Sequence, residues 1–383
     1  MIGPRRRHAI FAAAAMIAMT GFAGRAIAAE EGLLADTVEF TGAVLFLETG
    51  VPGLVIGAVR DGETAVSGFG EFQPGSGQAP DGDTLMRVGS VSKVFTGAVL
   101  AGMAADGTVK LSDTLSKHID WQLPQAGGRP IRLIDMATHS SGLPRELDRE
   151  PGPDDNPFAT LTVDAYRAAL AGDPQFFAAG SGALYSNFGF DMLALGLADA
   201  AGKSYEALLS ERVLEPMGLN DTGLSVAPAD RARLMQGHGF EGTPLPDVPN
   251  TPAMGGASGL YSSANDMLKW LQWHLDRSPS RDDEMRLVNH AAYLQRDGLD
   301  PVYALDESGH MDAMGLGWVI MQPDGDRPLI MQKAGGLQGM FVYHAFAPAR
   351  GVGVFVAINK FDFAASGAIA AFANDLIGQL APR

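Results

Sequence analysis

At 383 residues, 46% hydrophobic and 19% charged, the chain has enough apolar material for a large core, which excludes a disordered or fibrous protein. Its formal charge of -16 repels phosphate backbones and anionic lipid, so nucleic acid is not an expected partner. There is no cysteine, which excludes disulfides, thiol catalysis, thiolate metal sites and a lipoprotein anchor together.

The chain begins with Arg5-Arg6-Arg7, an apolar run from Ala9 to Met19, and the small-x-small triplet Ala26-Ile27-Ala28. This pattern predicts a signal peptide over residues 1–28, cleaved after Ala28, and export to the periplasm by the general secretory or the twin-arginine route. The apolar run is shorter than the ~20 residues that span a bilayer, so no stable membrane anchor is expected. Loss of Arg5, Arg6, Arg7 and Arg25 takes the mature charge to about -20.

Gly53 to Val59 followed by Arg60-Asp61-Gly62 and Thr64 to Phe69 predicts a strand, a tight Asp-Gly turn and a second strand. Next comes Met86-Arg87-Val88-Gly89-Ser90-Val91-Ser92-Lys93, leading into an apolar stretch to Met103 that stops at Asp106-Gly107. This places Ser90 at a helix start. A spacing of three puts Ser90 and Lys93 on one helical face. A serine hydroxyl becomes a good nucleophile only when a base takes its proton, and a lysine does so only when burial or a neighbouring cation lowers its pKa. Taken alone, the pair is better read as a capping serine beside a solvated lysine.

Pro144 to Pro157 is a surface loop by composition. Met192 to Ala201, Tyr205 to Leu214 and Ala264 to Leu275 have helical spacing, and Ser263 with Asp266 suggests a capping box. Apolar runs at Trp318 to Met321, Leu329 to Met331, Met340 to Phe346 and Val352 to Ile358, punctuated by turns, predict further strands. Ala364 to Leu380 reads as a helix over one face of the sheet. The architecture expected is an antiparallel sheet flanked by helices, an α/β (α+β) class, with a mainly helical second lobe. The mature unit is residues 29–383, its sheet lobe from about 40–110 and 310–383 and its helical lobe about 111–309.

Several patterns carry no function. Gly237-His238-Gly239-Phe240-Glu241-Gly242 lacks the strand and helix a nucleotide fingerprint needs, and Gly202-Lys203-Ser204 lacks the leading glycine of a phosphate loop. The eight histidines have no metal-ligand spacing, so neither metal nor cofactor is expected. No Gly-x-Ser-x-Gly elbow is present.

Two later elements raise the standing of Ser90-Val91-Ser92-Lys93. They are Tyr185-Ser186-Asn187, directly before a helix, and Lys333-Ala334-Gly335-Gly336 after a strand. In this order the three match Ser-x-x-Lys, Tyr-x-Asn and Lys-Thr-Gly. The chain resembles the class C β-lactamases and related penicillin-binding proteins, and in particular the AmpH-like D-alanyl-D-alanine carboxypeptidase/endopeptidases. Ala137 to Glu146 and Gly315 to Val319 add to the likeness, which covers about Gly53 to Leu376.

The resemblance implies a β-lactamase/transpeptidase-like fold and no cofactor. It implies Ser90 as acylated nucleophile, with Lys93 and Tyr185 sharing the proton traffic and Tyr185 kept partly ionised by Lys93 and Lys333. Asn187 would position Lys93 and the substrate amide, Lys333 would bind a substrate carboxylate, and the N–H groups of Ser90 and Gly336 would form the oxyanion hole. The implied ligands are peptidoglycan peptides and β-lactams, and the implied activity a periplasmic serine DD-peptidase. A class C type β-lactamase, an esterase of the same fold and a catalytically poor penicillin-binding or sensing protein remain as alternatives. Ala334 departs from the family's threonine or serine, so one hydroxyl for a substrate carboxylate is missing, and His139 is expected to be structural.

Overall fold

The computed structural model describes residues 32–124 and 128–381. The expected signal peptide, residues 1–28, lies outside them. The first described element is a helix over residues 32–49 (α1), which the sequence reading did not anticipate.

The hairpin follows as expected, with β1 (Gly53–Arg60) and β2 (Glu63–Gly70) joined at Asp61-Gly62. Both turn residues have positive φ, 50° and 89°, as a two-residue hairpin turn that matches strand twist requires. β3 (Leu85–Arg87) leads to a single 3-10 turn at Gly89–Val91 and then to α2 (Ser92–Ala105), the central helix. Val94, Phe95, Ala98, Val99, Leu100, Ala101 and Met103 are all fully buried, and a helix this apolar all round can only sit inside a core.

The middle of the chain supplies α3 (Leu133–Ala137), α4 (Val163–Ala171), β4 (Ala183–Leu184), α5 (Asn187–Ala201) and α6 (Tyr205–Leu209). β5 (Tyr261–Ser263), which pairs with β3, runs into α7 (Ala264–Leu275), followed by α8 (Asp283–His290). Ser263 Oγ accepts from the Asp266 N–H at the start of α7, one half of the anticipated capping box. The Asp266 carboxylate instead accepts from the Asp221 N–H and Thr222.

Short strands β6 (Leu294–Gln295), β7 (Val302–Tyr303), β8 (Ala313–Met314) and β9 (Val319–Met321) precede three long ones. These are β10 (Ile330–Leu337), β11 (Met340–Ala347) and β12 (Val352–Ile358), and the chain closes with α9 (Phe363–Leu380). Among the described residues the main sheet has eight strands in the order β2-β1-β12-β11-β10-β9-β8-β6, with every neighbouring pair antiparallel. β1 joins β12, so strands from the early and late parts of the chain meet in one sheet.

Side chains of these strands alternate between two cores, following the period of two of extended chain. Leu54, Ile56, Val352, Val354, Val356 and Ile358 face one side, where Leu34, Val38 and Leu45 of α1 pack with Ile369, Ala373 and Ile377 of α9. Val55, Val59, Phe355 and Ala357 face the other, against α2 and α7. A sheet covered on both faces explains why its strands read as unbroken apolar runs.

Candidate active site

The cleft lies where the 3-10 turn before α2 meets the edge of β10. Gly89 has φ +51°, and a Cβ there would stand 2.8 Å from Gly336 N. A Cβ on Gly335 would stand 2.1 Å from the Val88 carbonyl oxygen and 2.8 Å from Ser90 N. Neither position has room for a side chain, and two glycines facing each other let the Ser90 backbone approach a strand edge. β9 pairs only with Ile330, Met331 and Gln332 of β10, so Lys333 to Leu337 have no strand on that side among the described residues. The sequence reading placed Lys333 after the strand; the structure continues the strand through it.

Lys93 lies one helical turn beyond Ser90 and is fully buried. Its Nζ sits 3.2 Å from Ser90 Oγ, 2.6 Å from Asn187 Oδ1 and 2.8 Å from the Ala257 carbonyl oxygen. Burial is the largest influence on this amine and Lys333 the next; together they push its pKa well below the ordinary lysine value against the opposing pull of Asp191 and Glu146. A neutral amine has two N–H donors and one lone pair. With the two carbonyl oxygens accepting these donors, the lone pair of the neutral form is left for the Ser90 hydroxyl.

The orientation of Asn187 is itself fixed, because its Nδ2 donates to the Glu146 carboxylate, which can only accept. Tyr185, Ser186 and Asn187 span a strand end, a cap and a first helical turn. β4 pairs in parallel with β7, and the Tyr185 N–H donates to the Tyr303 carbonyl oxygen. Ser186 Oγ accepts from the Gly189 N–H as the N-cap of α5, which directs Tyr185 and Asn187 into the same cleft.

His139, at φ +58°, supports this turn from beneath. It is fully buried, its Nδ1 accepts from the Ser186 N–H at 3.0 Å, and its ring stacks on Tyr185 at 4.5 Å. Burial, followed by Lys333, drives its pKa well down, so it is a neutral support for Tyr185, in line with the structural part expected of it.

The Tyr185 phenol and the Ser90 hydroxyl line the same cleft, near enough for Ser90 to influence the phenol. Lys333 Nζ lies 4.5 Å and Lys93 Nζ 4.9 Å from its ring centre. One expectation is corrected here. Burial raises the phenol pKa against the lowering influence of Ser90 and the nearby Arg145 guanidinium, which favours a protonated phenol over a partly ionised one. Lys333 is buried to 3% exposure and its pKa falls to about 7, chiefly through burial.

The cleft encloses about 980 Å3 and contains Ser90, Tyr185, Asn187, Lys333 and Gly336. All six residues anticipated from the sequence, Lys93 included, therefore come together. Glu146, Asp191, Ala257 and His139 complete the setting; of these only His139 was given a part, a structural one, by sequence reasoning. The loop anticipated between Pro144 and Pro157 forms one wall, with Arg145, Glu146, Leu147 and Arg149 lining the cleft.

Comparison with known proteins agrees with this geometry. The sequence model of the Beta-lactamase family matches residues 26–379. The D-alanyl-D-alanine-carboxypeptidase/endopeptidase AmpH of Escherichia coli K12 is 33% identical over 359 residues, 92% of this chain and 90% of that protein. A beta-lactamase of Pseudomonas fluorescens is 26% identical over 348 residues, 85% of this chain and 93% of that protein. Among solved structures, the beta-lactamase/D-alanine carboxypeptidase from Yersinia pestis in complex with citrate superposes with a TM-score of 0.83 at 33% identity, covering 93% of this chain and 99% of that one. A class C beta-lactamase superposes at 0.78 with 19% identity over 91% of this chain and 99% of its own, a likeness of fold. The chain belongs to the beta-lactamase family, and is a serine hydrolase that works through an acyl-enzyme.

Proposed function

We propose that the protein is a periplasmic, penicillin-binding DD-peptidase that forms an acyl-enzyme on Ser90, releasing the terminal D-alanine of peptidoglycan peptides and opening their crosslinks. The observation that carries this reading is the buried Lys93 amine, held by two carbonyl groups 3.2 Å from Ser90 Oγ, beside an open strand edge. The likeness to the Escherichia coli carboxypeptidase/endopeptidase supplies the substrate class.

A peptide laid along Lys333 to Leu337 would extend the sheet by one strand and present its carbonyl to Ser90. Lys93 takes the Ser90 proton as Oγ attacks that carbonyl. The N–H groups of Ser90 and Gly336 receive the oxyanion, a contribution of about 3 kcal/mol per donor in comparable sites. The protonated Tyr185 gives its proton to the departing amine of D-alanine, and the proton on Lys93 then restores the phenol. Water next cleaves the ester. Lys333 in its charged form attracts the terminal carboxylate, and Ala334 leaves that carboxylate without a hydroxyl partner beside it.

A β-lactam enters the same steps but keeps its leaving amine tethered, so the rate at which water reaches the ester separates a peptidase from a β-lactamase. The test pairs D-alanine release from a pentapeptide muropeptide with the lifetime of a penicillin adduct. Release of D-alanine together with an adduct that persists for minutes is expected. Rapid penicillin turnover without D-alanine release would instead make the protein a β-lactamase.

A further inference from the structure

α5 carries an aspartate that its surroundings do not favour. Asp191, one turn after Asn187, is flanked by Phe190, Met192 and Leu193, all fully buried, and is itself exposed by only 3%. A carboxylate on such a face opposes folding unless it has a task, and departures of this kind collect at functional sites.

Its hydrogen bonds indicate the task. Asp191 Oδ2 accepts from the Tyr166 hydroxyl at 2.6 Å, and Oδ1 accepts from the Ala257 N–H at 2.9 Å. The Ala257 carbonyl, in turn, accepts from Lys93 Nζ. Next to it, the Gly256 carbonyl accepts from Thr96 Oγ1, and a Cβ on Gly256 would lie 2.4 Å from the Phe190 carbonyl oxygen, so this segment is pressed directly onto the backbone of α5. Each of the two carbonyls that hold the Lys93 amine is therefore backed by a carboxylate, Asn187 by Glu146 and Ala257 by Asp191.

We propose that Asp191 is a positioning residue for acylation, which fixes the Ala257 carbonyl against Lys93 and supplies the buried negative charge that Lys93 needs once it holds the proton of Ser90. This rests on Lys93 being the base. A base in an apolar pocket is easily neutral before the reaction but costly to charge during it. A carboxylate at short range lowers that cost without touching the substrate.

Burial raises the Asp191 carboxyl to about 7 even though the Tyr166 hydroxyl, Lys93 and the Ala257 N–H all favour its ionised form. Asp191 and Lys93 consequently titrate as a pair. The other titratable groups facing Asp191 are Tyr166 on α4, Tyr205 on α6 and Glu146 in the loop. On α3, Asp135 is committed to Arg129 by two hydrogen bonds at 2.6 and 2.9 Å, and beyond α3 His139 is held neutral.

The test is the rate of acylation by a fluorescent penicillin, measured by rapid mixing between pH 5.5 and 9. Asp191→Asn keeps an acceptor for the Ala257 N–H and a partner for Tyr166 but removes the charge. Its plateau rate is expected to fall roughly 10-fold or more, and the midpoint of the acid limb to move down by about half a unit to one unit, as loss of an opposing charge lowers the Lys93 pKa. Thermal stability should hold or rise, a combination that a purely structural aspartate would not give.

An acid limb that stays in place would overturn the proposal whatever the plateau does. If Asp191→Asn does not fold, Tyr166→Phe decides. It removes a hydrogen bond that favours the carboxylate, so the limb should shift the same way by less, and an unmoved limb again overturns the proposal. Ser90→Ala run alongside separates the two levels of the reading. Loss of the adduct there with an unmoved limb in Asp191→Asn refutes only the assignment of Asp191, whereas an adduct retained in Ser90→Ala removes the nucleophile assignment on which it rests.

Discussion

Lys93→Ala should slow acylation of Ser90 about 1,000-fold, within the range that positioned bases contribute. The lone pair that faces Ser90 Oγ is lost, and no other group in the cleft can replace it at neutral pH. Tyr185 lines the same cleft but is a phenol with a raised pKa, which suits it to donate a proton rather than to accept one. Lys333, near 7, lies on the strand edge over the ring of Tyr185. Because water can fill the place of the amine between Asn187 Oδ1 and the Ala257 carbonyl, the variant should fold, and its circular dichroism should match the parent protein. Stopped-flow acylation by a chromogenic cephalosporin measures the effect. A loss of less than 10-fold would transfer the part of base to Tyr185.

The second large effect concerns stability in acid. Behind the cleft, His274 Nδ1 lies 2.7 Å from His290 Nε2, both rings pack against Phe346, and His274 also packs edge-on to Trp270 and Trp318. His344 on β11, fully buried, stacks against Trp318. Burial lowers His290 to about 4 and His344 to about 3, and drives His274 and His139 well below 6.5. In each case the folded pKa lies below the unfolded one, so the unfolded chain binds more protons. The associated stability is fully present above about 6.5 and is lost as pH falls toward the folded values.

At pH 5 the loss from His290 and His344 is about 2 kcal/mol each. His274 and His139 act in the same direction. Asp191 acts in the opposite one, since its folded pKa of about 7 lies above the unfolded value, and it offsets about one histidine. Against a typical total of roughly 5–15 kcal/mol the net loss is large. Urea midpoints should therefore fall steeply between pH 7 and pH 5, and His344→Phe should flatten the slope. A midpoint unchanged across that interval would mean that the rings find proton-accepting partners in the folded state.

The sheet was legible in the sequence because its strands are buried on both faces and appear as apolar runs between turn residues. The Asp61-Gly62 turn was legible for a local reason, two residues that tolerate positive φ. α1 was not, since Leu33, Phe40 and Leu47 are exposed while Leu34, Val38 and Leu45 are buried, so its apolar residues fall on both faces and give no clean stripe.

Within the site, helical spacing makes Ser90 and Lys93 a possible pair, but it is the order of family motifs that singles them out together with Tyr185, Asn187 and Lys333. Asp191 and Ala257 gave no signal at all, and Glu146 only that of lying in a stretch similar to the family. They act on Lys93 from three segments far apart in the chain, one of them through a backbone carbonyl, and only the packing of α2 against α5 and the Gly256 segment brings them within reach. The state of Tyr185 was misread for a related reason. The motif supplies two nearby lysines but not the burial that raises the phenol pKa.

The most direct measurement is intact mass of the protein after brief exposure to benzylpenicillin, followed by peptide mapping of the adduct. One added penicilloyl group is expected, borne by Ser90 alone and absent from Ser90→Ala. An adduct on any other residue, or one that survives in Ser90→Ala, would contradict it.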